Sequence, residues 1–535
     1  MVHSCLEIPE ILSIICQILR ESYAQASLAA LAATGSWARD AALDALWSEQ
    51  HSFVPLLSTL PQHTVLDGPI TPETLERTQS YASRISSLSI GTRSGGINGI
   101  YVEDTFCVLE IDEDALHQLF AFADPQPLLP RLERLDCDML DADLMKCIPT
   151  LLSFSIVELT MGLKDYEPLI QALPSSCPRL VQLTILQGRT RIGSPFYLTP
   201  SVSNILAGAV NQMRALQHLS LFDITLELLA CVGKHPTIRS LQFPIGDRFV
   251  DGIGLASQAP QVDFENVMQS FEIILGNPTT LDRLFESVRT PIQAVSFVAR
   301  CYEDPDTSGG FDVRQRNLDM LAHMLEPAHV KEVLYYHDCD IELSWGSIPA
   351  ASILQLTQYP HISHLGIDCW VDAADADLLA LARALPQLEF LVLDTHAMAR
   401  DYLDFRTRNV RTTLGVLPGL AHCCPNLRVL CIRLDATAVP TSFCALERDA
   451  RAQSAIRLYF AESPLTDPVA VAAYLRHVFP RGCSIASRPP REGMFSTSYD
   501  GFWDDDGGDT SRDWPVGLWP KVREELSRLD MTQGR

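Results

Sequence analysis

A short pattern of apolar residues recurs along most of this 535-residue chain, and it constrains the fold more than any other feature. Three apolar positions are separated first by two residues and then by one, as in Leu132, Leu135 and Cys137. Most copies follow one another after about 20–29 residues, and we expect inserted loops where the gap is longer. The copies begin at Ile85, Phe106, Leu132, Ile156, Leu180, Leu216, Ile238, Ile292, Val330, Ile362, Leu388 and Leu427, with a degraded copy at Phe264 and Val267.

Prolines recur at a fixed position in the same pattern and indicate which secondary structure lies between the copies. Each lies two residues before a copy begins, where it ends a helix and turns the chain into an extended segment. These prolines are Pro130, Pro178, Pro236, Pro360, Pro386 and Pro425. Helical stretches such as 375–385 separate the copies, so the unit is strand, turn, helix, proline, strand. We therefore predict an α/β fold, with parallel strands stacked on one face and helices on the other.

This region resembles the irregular leucine-rich repeats, although it lacks the asparagine that regular repeats carry after each strand. The resemblance implies a solenoid whose array runs over residues 85–462. The alternative is one doubly wound α/β domain, but the phosphate-binding loop usual in that fold is missing from the sequence. Residues 463–535 are expected to form C-terminal capping helices around an acidic loop.

The first sixty residues have a different, purely helical pattern. Ile11, Ile14, Ile15, Ile18 and Leu19 recur at the spacing of one helix face, and Pro9 stands at the expected first helical position. Two further short apolar faces follow, the last running through Leu43, Leu46 and Trp47, and Gly35 is expected to end the second helix. Three short helices bury little surface on their own, so part of their apolar surface is expected to contact a partner.

The amino-acid sequence of this segment resembles an F-box of the large family found in mushroom-forming fungi. Residues 8–10 read Ile-Pro-Glu, residues 28–32 read Leu-Ala-Ala-Leu-Ala, and residues 46–47 read Leu-Trp. The resemblance implies a domain over 1–61 that docks the Skp-type adaptor of a cullin ubiquitin ligase. The implied adaptor contacts are Leu6, Ile8, Pro9, Ile11, Ile14, Ile15, Leu28, Leu31 and Trp47. A plain helical cap on a larger domain is the alternative. Residues 62–84 are expected to be a connector.

Composition excludes several classes of function. The net charge is -25, from 66 acidic and 41 basic residues, which argues against binding of nucleic acid. No apolar run has the length of a membrane span, and Glu7 and Glu10 replace the basic start of a signal peptide. Fifteen cysteines without a pairing pattern suggest reduced thiols in the cytoplasm or nucleus.

A search for catalytic chemistry finds no recognisable motif. The chain has no GxGxxG after a strand, no P-loop and no GxSxG, so we predict neither a cofactor nor an enzymatic activity. No fourth ligand completes a metal site around the candidate groups, which are His361, His364 and Cys369, and His337 with Cys339. An α/β enzyme with an unrecognised site is the less favoured alternative.

These observations favour a substrate-recognition subunit of a Skp–cullin–F-box ubiquitin ligase, with a scaffold that lacks ubiquitin transfer as the alternative. The target is expected on the strand side of the repeats, beside Asp223, Asp368 and Asp394, which would suit a partly basic partner. The residues expected to point outward there are Asp136, Thr184, Ser220, Gln242, Ser296, Gly366, Val392 and Cys431.

Overall fold

The structure is a computed structural model that describes most of the chain. The described residues are 8–60, 72–90, 127–137, 148–163, 167–187, 198–245, 261–275, 284, 286–302, 310–338, 348–367, 371–393, 410–440, 455–460, 463–480, 482–486 and 518–533. They form two compact units, the first ending at Phe222 and the second beginning at Asp223. In these ranges, every helix is too short or too polar to cross a membrane.

The first unit begins with helices and continues as stacked strands. Its helices are α1 Pro9–Glu21, α2 Gln25–Thr34, α3 Ser36–Trp47, α4 Val54–Leu57, α5 Pro72–Ala82, α6 Glu167–Ser176 and α7 Pro200–Gln212. Its strands are β1 Glu49–Gln50, β2 Ser87–Ser89, β3 Arg134–Cys137, β4 Glu158–Leu163, β5 Gln182–Gln187 and β6 His218–Leu221. Pro9 occupies the first turn of α1, as predicted, where its missing N–H costs no hydrogen bond.

Parallel pairing in this unit follows the order of the chain, from β1 to β6. The middle leucine of each repeat pairs with the middle leucine of the next, and all are buried. This ladder consists of Leu88, Leu135, Leu159, Leu183 and Leu219. Because side chains alternate along a strand, a constant register keeps one apolar face turned inward throughout the stack.

The second unit repeats this plan. Its helices are α8 Leu226–Gly233, α9 Gly310–Met324, α10 Ala350–Leu354, α11 Asp375–Ala384, α12 Leu417–Cys423, α13 Pro468–Val478 and α14 Trp519–Gln533. Its strands are β7 Ser240–Ile245, β8 Met268–Leu275, β9 Ala294–Tyr302, β10 Glu332–Asp338, β11 Ile348–Pro349, β12 His364–Ile367, β13 Val371–Asp372, β14 Phe390–Leu393, β15 Val429–Cys431, β16 Ile456–Tyr459 and β17 Cys483–Ile485.

Strand order in the second unit also runs in one direction. Strands β7 to β10, β12 and β14 to β17 pair in parallel in chain order, while β11 and β13 form a separate two-stranded sheet. A doubly wound domain would require a reversal of strand order. Neither unit has such a reversal among its described strands, so the α/β repeat fold is confirmed and the doubly wound alternative is wrong.

The prolines before the strands form a recurring turn. The backbone N–H of Leu180 donates to the carbonyl of Cys177 at 3.0 Å, and Ile362, Leu388 and Leu427 make the equivalent bond to the residue three positions earlier. The prolines in these four turns are therefore the second residue of a β-turn, the position for which the fixed φ of proline is suited. This turn connects the end of each helix to the start of the next strand.

Three elements differ from the sequence predictions. The degraded copy at Phe264 is out of register, because the strand uses Met268, Phe271 and Ile273, with Phe271 paired to Leu241 and Phe297. Parallel pairing continues past residue 462 to β17, so α13 lies between two strands. The expected connector contains α5. The predicted copy at Phe106 lies outside the described residues.

Candidate functional site

Helix α1 has two apolar faces, and only one of them is buried. Leu12 and Cys16 are covered by the neighbouring helices. The four isoleucines of the other face are exposed over 44%, 37%, 57% and 55% of their surface, and we call them the isoleucine face. These residues are Ile8, Ile11, Ile14 and Ile18.

Small residues explain why the isoleucines stay outside. The core of these helices consists of Leu12, Cys16, Leu28, Ala32, Ala38 and Ala42. Alanines on α2 and α3 let the helices approach α1 closely, and one leucine and one cysteine of α1 then fill the space between them. No room is left for a second row of large side chains. Three exposed isoleucines on α1, together with Ile8 at its N-cap, therefore form an apolar surface suited to binding a partner.

The nine predicted adaptor contacts differ in how far their side chains are exposed to solvent. Ile8, Pro9, Ile11 and Ile14 are exposed, and Ile15 is half-buried. Leu28 is completely buried and belongs to the core, while Leu31 packs against that core. Leu6 lies outside the described residues. The sequence prediction omitted Ile18, although its helical spacing from Ile11 and Ile14 places it on the same face.

Trp47, the last predicted adaptor contact, packs against an aromatic ring of the same chain. Its indole stacks on the ring of Tyr81 in α5, with centroids 4.6 Å apart and an angle of 26° between the planes. The stack joins the end of α3 to the helix that leads into β2. Trp47 is half-buried, and its stacked face packs within the chain.

Arg84 makes a second connection between the same elements. Its Nη2 lies 2.9 Å from Asp40 Oδ1, and its Nη1 contacts Asp44, so one guanidinium bridges two carboxylates of α3. The carbonyl of Ser48 also accepts hydrogen bonds from the N–H groups of Ser86 and Ser87. Together with β1 pairing on β2, these contacts make the N-terminal helices continuous with the first repeat. No sequence motif marks this joint, because its partners are about 40 residues apart along the chain.

Of the three aspartates predicted to contact the target, only Asp223 lies among the described residues. Asp223 is only 7% exposed, and its carboxylate accepts a hydrogen bond from the N–H of Ile224 at 2.9 Å. It shapes the turn before α8 and offers little surface to a partner. Asp368 and Asp394 lie outside the described residues.

The strand side chains that were expected to point outward behave differently in the two units. In the second unit, Val392 and Cys431 are each only 3% exposed, so these two side chains are not available as an outward-facing surface. Both belong to a second apolar cluster with Val298, Leu334, Val429 and Tyr459. Gly366 lies in the same row, where an added Cβ would meet Leu334 Cδ2 at 2.9 Å. In the first unit, the equivalent positions Asp136, Thr184 and Ser220 are half-buried and polar.

Reactive chemistry is not assembled in the described part of the chain. There, no group of three or more histidines, cysteines, aspartates or glutamates is arranged to hold a metal ion. Burial raises the pKa of the Cys177 and Cys424 thiols to about 12, so both are protonated and poorly nucleophilic at neutral pH.

Comparison with known proteins adds little to what the strand pairing already shows about the fold. No protein-family model and no curated protein sequence matches the chain. Among solved structures, it is similar to an internalin from Listeria monocytogenes, with 11% sequence identity and a TM-score of 0.32. The match covers 68% of this chain and 83% of that chain. A TM-score this low supports no conclusion about function.

Proposed function

We propose that this protein is the substrate-recognition subunit of a Skp–cullin–F-box type ubiquitin ligase. The observation that carries the proposal is the isoleucine face, a row of large apolar side chains on a short helix whose other face already holds the core. Such a row is unfavourable in water unless a partner covers it. The order of Pro-Glu, helical isoleucines and Leu-Trp in the sequence suggests that this partner is the Skp-type adaptor.

The rest of the molecule suits a receptor that acts by proximity. Stacked parallel repeats present extended surfaces that bind other proteins. A receptor of this kind holds a target near a ubiquitin-loaded enzyme carried by other subunits, and it needs no catalytic residue of its own. Localisation in the cytoplasm or nucleus belongs to the same proposal. The joint at Arg84 and Trp47 supports it further, because it fixes the isoleucine face relative to the strands of the first unit.

Adaptor binding by isoleucine-face variants tests the proposal directly. Ile11→Ser combined with Ile14→Ser should weaken binding of a purified Skp-type adaptor at least about tenfold, because central apolar contacts each contribute roughly 1–2 kcal/mol. Isothermal titration calorimetry on the full chain measures this change. The matched control is Phe154→Ser, which removes an apolar residue that is 69% exposed but lies outside the N-terminal helices.

Two results would contradict the proposal. Equal binding by the wild type and the double variant would remove the isoleucine face from the interface. Absence of binding by the wild-type chain would leave a repeat scaffold without ubiquitin transfer as the function.

A further inference from the structure

The outer face of the first unit is a second candidate for a binding surface. By outer face we mean the strand side chains that alternate with the buried leucine ladder. Its long side chains are Arg134, Glu158, Gln182 and His218, which pair in register across β3 to β6 and are all exposed. Adjacent strands are about 4.8 Å apart, so the row extends over about 14 Å.

These four side chains are unpaired within the described part of the chain. Among the described residues, Arg134, Glu158, Gln182 and His218 make no side-chain hydrogen bond, ion pair or ring contact with the rest of the protein. The neighbouring row is shorter and half-buried, and it includes the hydroxyls of Thr160 and Thr184. Long, exposed polar side chains therefore lie next to a row of shorter, half-buried polar side chains.

The second unit shows what such a face looks like when its polar groups are satisfied internally. Arg300 Nε pairs with Glu272 Oε1 at 2.6 Å, and Ser296 donates a hydrogen bond to Glu332. His364 stacks on Phe390, with centroids 4.4 Å apart. The adjacent row there is the buried apolar cluster around Val392. Charged groups that are already paired offer less to a partner, so recognition by charge is expected on the first unit.

We infer that the outer face of β3 to β6 binds an extended polypeptide segment that carries one acidic and one basic side chain. The acidic group pairs with Arg134, and the basic group pairs with Glu158, which has Asp136 beside it. The Gln182 amide and the two threonine hydroxyls supply hydrogen bonds to the backbone of the segment. About five extended residues match the length of the row. This inference rests on the proposed function in one respect, which is that the bound segment is part of the target protein.

The arrangement of charges on the peptide distinguishes binding at this site from non-specific electrostatic attraction to the protein. The chain carries a net charge of -25, so non-specific attraction favours purely basic peptides. The inferred site instead favours a peptide with one charge of each sign. Replacing Arg134 by an acid should shift the preference toward dibasic peptides, and replacing Glu158 by a base should shift it toward diacidic ones.

Fluorescence anisotropy with three labelled peptides tests this inference on the full chain. The peptides share length and a Gly-Ser background and carry Asp and Lys, two Lys, or two Asp at positions two residues apart. Wild type should bind the Asp–Lys peptide best, by about fivefold, the contribution of one well-formed surface ion pair. R134E should prefer the two-Lys peptide, and E158R the two-Asp peptide. The matched controls Arg214→Glu and Glu76→Arg change exposed charges elsewhere in the same unit and should keep the wild-type preference.

Two outcomes would overturn the inference. One is a preference for the two-Lys peptide in every variant, which is the result of net charge alone. The other is no measurable binding of the Asp–Lys peptide to wild type. Adaptor binding, measured on the same variants, should not change. A failure of the peptide site is therefore distinguishable from a failure of the proposed function, which affects only the isoleucine-face variants.

Discussion

Leu28 and Ile14 were both predicted from sequence to contact the adaptor, but the structure assigns them opposite environments. Leu28 is completely buried among Leu12 and Cys16, whereas Ile14 is 57% exposed. Leu28→Ala should cost about 2–5 kcal/mol of local stability, because it removes a buried side chain and leaves a cavity. Ile14→Ala should cost less than about 0.5 kcal/mol, since water already contacts most of that side chain.

Hydrogen exchange of α1 to α3 is the suitable assay, because a chain with two compact units need not unfold in one step. A loss of 2 kcal/mol raises the opening equilibrium about 30-fold, so amides of α2 in Leu28→Ala should exchange at least about 30-fold faster. Ile14→Ala should exchange like wild type, yet bind the adaptor more weakly.

The opposite pattern would refute this reasoning. If Leu28→Ala exchanged like wild type, Leu28 would not be part of a packed core. If Ile14→Ala accelerated exchange as strongly as Leu28→Ala, the isoleucine face would be structural rather than a binding surface.

Two further predictions concern the repeats. Gly208→Ala should stabilise α7 by about 0.5–1 kcal/mol, measured by hydrogen exchange, because a Cβ inside α7 meets nothing within 4 Å. Gly233→Ala should instead destabilise α8 by about 1–3 kcal/mol in the same assay, since its Cβ would lie 2.5 Å from the backbone oxygen of Asp263. Equal effects of the two substitutions would contradict the close approach at Gly233. The thiols of Cys177 and Cys424 keep their protons up to a pKa of about 12, against 9.0 in a free thiol, so stability that is intact below about pH 9 should fall as pH rises toward 12. Cys177→Ala with Cys424→Ala should flatten this pH dependence, and an unchanged alkaline slope would exclude these thiols as its cause.

The sequence by itself determined the period of the repeats and, for most copies, the position of the strand and the face that carries the buried leucine ladder. Leu135, Leu159 and Leu183 lie in one ladder because side chains alternate along a strand, and this alternation is visible in the order of residues alone. The start of α1 at Pro9 follows from local backbone chemistry in the same way.

Tertiary structure alone decided which apolar surfaces remain exposed. Helical spacing located the isoleucines on one face, but the identity of the neighbour that covers a face depends on residues elsewhere. The alanines of α2 and α3 select Leu12 and Cys16 for the core and leave Ile14 and Ile18 outside. For the same reason, Val392 is buried while Asp136 is half-buried and polar at the matching position of another repeat, since contacts between distant segments set the environment that a repeating pattern leaves open.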